Sequence, residues 1–265
     1  MDAIIRTIDP SRFERDRRDH DGRSDIPGIG QSETIIPQAR VIALDEARRE
    51  SERLLPPGAT GSAGGAYKML RTQVLRRLNQ ISANTLAVMS ASSGEGKTLT
   101  AINLAIALAA DLGHTALLVD LDLRNPSIHR RLGFEPEVGI EDCLQHRASI
   151  REAMVKITGY ERLAVVPARS RVEHSSELLA SQRMADLMVE LRSRYGNRVL
   201  VFDLPPILLA DDALAFSQHV ETGLIVVAES ITAREELTRS LVMLDKLPVI
   251  GTVLNRSQES ADAYY

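Results

Sequence analysis

The sequence predicts an α/β fold in which a mostly parallel β-sheet is flanked by helices on both faces. Short runs that are apolar throughout recur along the chain, and amphipathic helical patterns separate them. Continuously apolar strands are typical of parallel sheets that are buried on both faces. The predicted strands are residues 85–89, 116–120, 163–166, 199–203, 224–228 and 249–254. The predicted helices between them are residues 101–112, 183–195, 210–220 and 234–247.

Composition limits the class of protein. With 265 residues, 44% hydrophobic and 26% charged, the chain suits one globular domain with some extra length. The net charge of −4 does not suggest nucleic acid as an obligate partner. No apolar run approaches the ~18 residues of a membrane span and residues 1–10 lack a signal-peptide pattern, so we expect a cytoplasmic protein. The single cysteine, Cys143, lies in a helical pattern and is interpreted as a structural thiol in a reducing compartment.

The N-terminal segment, residues 1–60, is predicted to be largely disordered or loosely docked, because charges and helix breakers dominate it. Residues 41–44 favour a short strand or docking segment within it, and residues 45–55 a short charged helix. A Gly/Ser linker then leads to a predicted amphipathic helix at residues 66–80. The basic side chains of that helix are either solvated or in contact with another subunit.

The most informative stretch is residues 85–100, TLAVMSASSGEGKTLT, which has the order strand, glycine-rich loop, helix. Such a loop directs backbone N–H groups and the helix dipole at an anion, and Lys97 adds a full charge. The pattern is G-x-x-x-x-G-K-[ST] except at its first position, Ala91. We therefore expect a triphosphate to bind here, with the Thr98 hydroxyl on Mg²⁺, rather than an ordinary glycine turn. The predicted nucleotide-binding residues of the loop are Ser93, Gly94, Glu95, Gly96, Lys97, Thr98 and Leu99.

Carboxylates follow two of the predicted strands. Asp120 and Asp122 leave the strand at residues 116–120, and Asp203 ends an apolar strand in the manner of a Walker B acid. Ligands of parallel sheets bind at the carboxyl ends of the strands, so these acids are expected to hold Mg²⁺ and to accept a proton from an attacking hydroxyl. Helix capping is the alternative for each acid. Arg124 is placed to balance phosphate or acid charge, and residues 211–212 are interpreted as a helix start.

The deviant phosphate loop, the stretch VDLDLRNPS and the stretch FDLPP together resemble bacterial tyrosine kinases of capsule and exopolysaccharide synthesis. These kinases form a branch of P-loop NTPases that is related to partition ATPases, and the resemblance runs over about residues 66–256. It implies a kinase domain at residues 61–256 that uses ATP and Mg²⁺. It implies a catalytic set of Lys97, Asp120, Asp122 and Asp203, with Thr98, Asp120 and Asp203 on the metal. It also implies that Asn255 lies near the adenine; whether Asp120 or Asp122 is the base stays open.

The resemblance further implies that a C-terminal tail, residues 257–265, is the kinase's own substrate, with Tyr264 and Tyr265 as phosphoacceptors. The implied partners are a separate membrane-embedded polysaccharide co-polymerase that activates the kinase, a cognate tyrosine phosphatase and further copies of the chain, with no nucleic acid. The protein would be cytoplasmic and held at the inner face of the membrane through its partner. The family's assembly motif E-x-x-R-x-x-R reads Gly65, Lys68 and Arg71 here.

A partition-type ATPase switch, which hydrolyses ATP without modifying tyrosine, is the alternative function. Such switches resemble one another in carrying a lysine near the start of the phosphate loop, where this chain has Ser92. A scaffold that binds nucleotide without catalysis is a third possibility. The intact lysine and the three carboxylates count against it.

Overall fold

The computed structural model describes residues 2–4, 39–193 and 198–257. Its strands form one nine-stranded sheet in the order β1-β9-β8-β3-β7-β4-β6-β5-β2. All neighbours are parallel except the pairs β1/β9 and β5/β6. The strands are β1 (Asp2–Ile4), β2 (Arg40–Ile42), β3 (Thr85–Ser90), β4 (Thr115–Asp120), β5 (Val155–Ile157), β6 (Leu163–Val166), β7 (Arg198–Asp203), β8 (Thr222–Ala228) and β9 (Val249–Ser257).

Helices cover both faces of this sheet, and a separate hydrophobic core lies on each face. The helices are α1 (Glu46–Ser51), α2 (Gly61–Gln80), α3 (Lys97–Ala109), α4 (Ile128–Leu132), α5 (Ile140–Leu144), α6 (Ile150–Ala153), α7 (Ser175–Leu179), α8 (Gln182–Ser193), α9 (Asp212–Ser217) and α10 (Arg234–Met243). Helices α2 and α3 supply one core, while α5, α8 and α9 supply the other. The predicted α/β fold class is confirmed.

All six predicted strands are present, and the central ones, β3 and β7, are buried along their whole length. The last strand, β9, runs three residues further than predicted. Sequence periodicity missed β5, α4, α6 and α7, which have only three to five residues each. Elements this short do not complete a recognisable hydrophobic period.

Part of the N-terminal segment belongs to the packed fold, which corrects the predicted domain boundary at residue 61. Strand β2 pairs with β5 at the edge of the sheet, and Leu54 and Leu55 are buried. The backbone N–H of Leu55 donates to Asn103 Oδ1 at 2.9 Å, and the Tyr160 hydroxyl donates to the Leu55 carbonyl at 2.7 Å. These contacts anchor residues 40–60 despite their charged composition. Residues 1 and 5–38 lie outside the described part of the chain.

The predicted Gly/Ser linker is the first part of a helix, because α2 begins at Gly61 rather than at residue 66. A Cβ at Gly64 would lie 2.8 Å from the backbone of Ala59, so glycine permits the preceding chain to pack on the helix. Gly64 of the predicted linker therefore permits a close backbone approach. No helix in the described ranges is both long enough and apolar enough to span a bilayer.

Candidate active site

The phosphate loop connects β3 to α3, and its two glycines have left-handed backbone angles. Gly94 has φ +77° and Gly96 has φ +91°, a region that costs other residues about 1–2 kcal/mol. The first pattern position, Ala91, is fully buried and is not among the residues with positive φ. Glycine is not required there by the backbone, which explains why the deviant pattern folds into the loop.

Lys97, the first residue of α3, points into the sheet edge and is buried. Its Nζ donates to Asp203 Oδ1 at 2.9 Å and to Asp122 Oδ2 at 3.1 Å, and it lies 3.3 Å from Thr98 Oγ1. Burial alone would lower the pKa of Lys97, but the charges of Asp203 and Asp122 outweigh burial and raise that pKa. The lysine is therefore a charged group held between acids from β7 and from the loop after β4.

Asp120 ends β4 and shapes the loop that follows it. Its Oδ2 accepts the backbone N–H groups of Ser127 and Ile128, both at 3.0 Å, and its Oδ1 accepts the N–H of Asp122 at 3.2 Å. Burial, followed by the charge of Asp203, raises the pKa of Asp120 to about 8. Helix capping, the alternative role predicted for this acid, is therefore observed, because the Asp120 carboxylate accepts backbone N–H groups at the start of α4.

Asp203 lies beside Asp120 in the register of β7 and β4, and it is fully buried. Burial raises the pKa of Asp203, and the charge of Lys97 opposes that rise. Its Oδ2 has no hydrogen-bond partner within the described ranges. That free oxygen and the nearby Thr98 hydroxyl are hard donors of the kind that Mg²⁺ prefers, so the residues present fit a divalent metal that arrives with a nucleotide. Among the same residues, no three carboxylate, histidine or cysteine side chains converge as a metal centre.

Arg124 is paired with the two acids at the start of α9, Asp211 before the helix and Asp212 as its first residue. Its Nε donates to Asp212 Oδ2 at 2.7 Å and its Nη2 to Asp211 Oδ1 at 2.9 Å. The hydrogen bond to Asp212 raises the pKa of the guanidinium. The sequence predicts that Arg124 balances either acid charge or phosphate charge. In this structure it balances acid charge, and its contact with a nucleotide stays a prediction. Helix α9 begins at Asp212 with Asp211 before it, where a helix start is predicted.

Strand β9 holds the phosphate loop from the side through Asn255 and Arg256. Asn255 Nδ2 donates to the carbonyl of Glu95 at 2.8 Å, and a Cβ at Gly96 would lie 1.9 Å from that nitrogen. Arg256 Nη2 donates to the carbonyl of Gly94 at 2.6 Å. Sequence reasoning included Asn255 but missed Arg256, for which only its position next to Asn255 was a signal.

Glu95 has a second role that sequence reasoning also missed. Its carboxylate is buried, accepts the N–H of Ser92 at 3.0 Å, and accepts the hydroxyl of Thr232 at 2.5 Å. Since Thr232 is 137 residues away in the chain, no local pattern points to this pair. The side chain of Glu95 therefore braces the loop.

The remaining predicted residues fall at the margin of the site or outside the described chain. Leu99 is partly buried and packs against the core, while Ser93 is exposed at the loop's surface. Tyr264 and Tyr265 lie outside the described residues. Cys143 is buried in α5, and burial raises the pKa of its thiol to about 12.

Comparisons with known proteins agree with this geometry. The chain is 29% identical over 201 residues to the tyrosine-protein kinase YwqD of Bacillus subtilis, covering 75% of this chain and 83% of that protein. It is 31% identical over 218 residues to the tyrosine-protein kinase wzc of Salmonella typhi, covering 82% of this chain but only 30% of that protein. The chain thus spans less than a third of the Salmonella relative.

The fold matches the kinase domain of the Escherichia coli tyrosine kinase ETK with a TM-score of 0.67 and 25% identity, covering 75% of this chain and 79% of that one. The resemblance to bacterial tyrosine kinases is confirmed by these relatives. The family model ParA, described as NUBPL iron-transfer P-loop NTPase, matches residues 82–263. The chain belongs to this family of P-loop NTPases.

Proposed function

We propose that the chain is an ATP-dependent protein-tyrosine autokinase that phosphorylates tyrosines of its own tail and serves exopolysaccharide or capsule synthesis and export. One observation carries the proposal. Lys97, at the start of α3, is held by acids from two strand ends beside a phosphate loop, in a chain whose relatives are named tyrosine-protein kinases. Such a set suits phosphoryl transfer, in which positioning and charge stabilisation do most of the work.

The phosphates of ATP would lie on the loop at the N-terminus of α3, where backbone N–H groups lack helical partners. Lys97 would then turn from a carboxylate to a phosphate oxygen. Thr98, Asp203 and Asp120 would hold Mg²⁺, which when bound neutralises charge on the phosphates. A tail tyrosine oxygen would form the new bond to the γ-phosphorus while the bond from that phosphorus to the β–γ bridging oxygen breaks, and ADP leaves.

The proton of that tyrosine needs an acceptor, since a phenol has a pKa near ~10 in water. Asp120 already accepts backbone N–H groups on both of its oxygens. Asp122 Oδ2, in contrast, contacts the ammonium of Lys97, and it would become available when Lys97 binds phosphate. We therefore assign the proton to Asp122, whereas Asp120 would shape the loop in addition to its place on Mg²⁺. Asp122→Asn should lower kcat by about 10²–10⁴-fold.

The partition-type ATPase switch stays the alternative, since the match to a P-loop NTPase family is compatible with both functions. Against it, the hydroxyl of Ser92 occupies the loop position where those switches carry a lysine, and it donates to Glu236 Oε1 at 3.3 Å. The switch predicts free phosphate without modified tyrosine.

Incubation with Mg-ATP followed by peptide mass analysis separates the two functions. The kinase predicts phosphate on Tyr264 or Tyr265, and its loss in Lys97→Met. Lys246→Met, which changes an exposed lysine far from the loop in sequence, is the matched control and should retain the modification. Phosphate release that accompanies unmodified tyrosines would refute the kinase.

The remaining assignments are also proposals. We infer that a membrane-embedded polysaccharide co-polymerase activates the chain, that a cognate phosphatase reverses the modification, and that the chain assembles with copies of itself at the inner face of the membrane. The resemblance of the motifs to those kinases supports these assignments. Sedimentation of the purified chain with Mg-ATP tests assembly: a species of monomer mass at all concentrations would contradict it.

A further inference from the structure

A cavity of about 330 Å³ lies at the end of α3 that is remote from the phosphate loop. Residues 55–59, one face of α2 between Gly64 and Arg71, the C-terminal end of α3 and residues 159–162 line it. Most of the wall is apolar, and its volume is within the range of small-ligand sites. We call it the α2–α3 cavity. Nothing in the proposed phosphoryl transfer uses it.

The charge of the cavity is asymmetric. Lys68, Arg71 and Arg162 line it together with a single acid, Glu161. Within the described ranges, none of the three cations forms a salt bridge. Arg71 Nε is buried without a hydrogen-bond partner there, whereas Arg162 Nη1 donates to the carbonyl of Asp111 at 2.9 Å. The wall therefore has an excess of cationic groups that form no salt bridge within the described ranges. The carboxylate of Asp111 lies close enough to Arg71 that this cation, after the hydrogen bond with His114, helps to lower the pKa of Asp111.

The polar groups of the helix terminus beside these cations mostly bind one another. The carbonyls of Ile106 and Leu108 at the end of α3 already accept the N–H groups of Ala110 and Asp111. The carboxylate of Asp111 accepts the N–H of Gly113, and its Oδ1 lies 2.7 Å from His114 Nδ1. A ligand that suits this cavity thus combines an apolar body with an anionic head.

Phosphotyrosine has that combination, because an aromatic ring carries a group of charge about −1.5 to −2 at neutral pH, and arginine recognises it through charge-assisted hydrogen bonds. The chain itself carries Tyr264 and Tyr265. We propose that the α2–α3 cavity binds the phosphorylated tail of a second copy of this chain. The inference rests on the proposed function, since it names a use of that reaction's product.

The reach of the tail favours a second copy over the same copy. Arg256 contacts Gly94 beside the N-terminal end of α3, while the cavity lies at the other end of a 13-residue helix, about 20 Å away. Seven Cα–Cα steps separate Ser257, the end of β9, from Tyr264, and they span at most about 23–25 Å when fully extended. A chain's own tail would need a nearly straight path along α3, which is buried over most of its length. A neighbouring copy has no such limit.

The test uses the purified chain after phosphatase treatment and a labelled peptide of residues 257–265 with phosphate on Tyr264. Fluorescence anisotropy should show that this peptide binds at least tenfold more tightly than the unmodified peptide. Arg71→Ala and Arg162→Ala should each weaken binding at least fivefold. Arg76→Ala is the matched control, because Arg76 is an exposed arginine of α2 outside the cavity, and it should leave binding unchanged.

A second variant keeps all three cations and blocks the space. Ala110 is exposed at the rim, so Ala110→Trp should fill the cavity without unfolding the chain, which thermal unfolding checks, and should abolish peptide binding. The proposal would be overturned if the phosphorylated peptide bound the wild type, the two arginine variants of the cavity and Ala110→Trp equally well. It would also be overturned if the control Arg76→Ala lost as much binding as the cavity variants. Since the peptide is supplied already phosphorylated, its binding is measured separately from the kinase reaction. If the chain bound this peptide but showed no kinase activity, only the proposed function would be refuted.

Discussion

The contact between Asn255 and the phosphate loop leads to a prediction whose size follows from the structure. In Gly96→Ala, the new Cβ would lie 1.9 Å from Asn255 Nδ2, a distance that no real contact allows. The amide must move, and its hydrogen bond to the Glu95 carbonyl is lost. Gly94→Ala is the matched control, because Gly94 also has positive φ but a Cβ there meets nothing within 4 Å.

Both substitutions lower the free energy of unfolding by the same backbone penalty, about 1–2 kcal/mol for a non-glycine residue in the left-handed region. Both also restrict the unfolded chain equally, so that contribution cancels in the comparison. The difference between them reports the lost hydrogen bond and the displaced amide, about 1–2 kcal/mol. For a domain of this size we expect Gly96→Ala to lower Tm by about 2–8 °C more than Gly94→Ala does.

Differential scanning fluorimetry on the nucleotide-free proteins measures this difference. The double variant Gly96→Ala/Asn255→Ala removes the amide that collides, so the extra cost of Gly96→Ala should shrink in that background. Equal Tm values for Gly96→Ala and Gly94→Ala, or a strictly additive double variant, would refute the inference that Asn255 packs against the loop.

Three further predictions follow from burial. Because the pKa of Asp120 is raised from 3.8 to about 8, the folded state keeps a proton that the unfolded chain releases, and stability should fall as pH rises from about 4 to about 8. Asp120→Asn should flatten the dependence of Tm on pH, and an unchanged slope would contradict the shift. Cys143, whose buried thiol has a pKa of about 12, should react with a thiol reagent at least ~100-fold more slowly in the native protein than in denaturant; fast native labelling would show that it is accessible. Leu54→Ala, at a side chain only 4% exposed, should cost about 2–5 kcal/mol in denaturant unfolding, while Leu112→Ala, at 86% exposed, should cost little. Equal costs would mean that residues 40–60 do not pack as described.

The sequence alone was sufficient to predict the parallel sheet and the edge of the sheet at which the main acids lie. Apolar strands in alternation with helices give a parallel sheet, and the carboxyl ends of its strands lie at one edge. For that reason Lys97 and Asp203, 106 residues apart, could be expected to meet before their contact was known. The periodic signal was weakest at the N-terminus, where composition suggested disorder but two leucines and a three-residue strand anchor the chain.

Sequence could not separate the roles of Asp120 and Asp122, because the two acids are one residue apart and leave the same strand. The difference is tertiary. The chain turns at residues 125–128 so that the N–H groups of Ser127 and Ile128 reach Asp120, while Lys97 reaches Asp122. Side-chain direction at the end of a strand depends on such turns, and no short pattern encodes them.

The deviant first position of the phosphate loop shows that the shape of a local motif also depends on contacts with the rest of the fold. The loop's shape depends on side chains from distant parts of the chain: Thr232 holds the carboxylate of Glu95, and Asn255 and Arg256 hold two successive carbonyls. Ala91 has none of these tasks, since its φ is not positive and its methyl group is buried. The glycines at 94 and 96 remain necessary because their backbone angles are left-handed. A pattern search that weights all its positions equally therefore penalises this chain at the position where the structure needs glycine least.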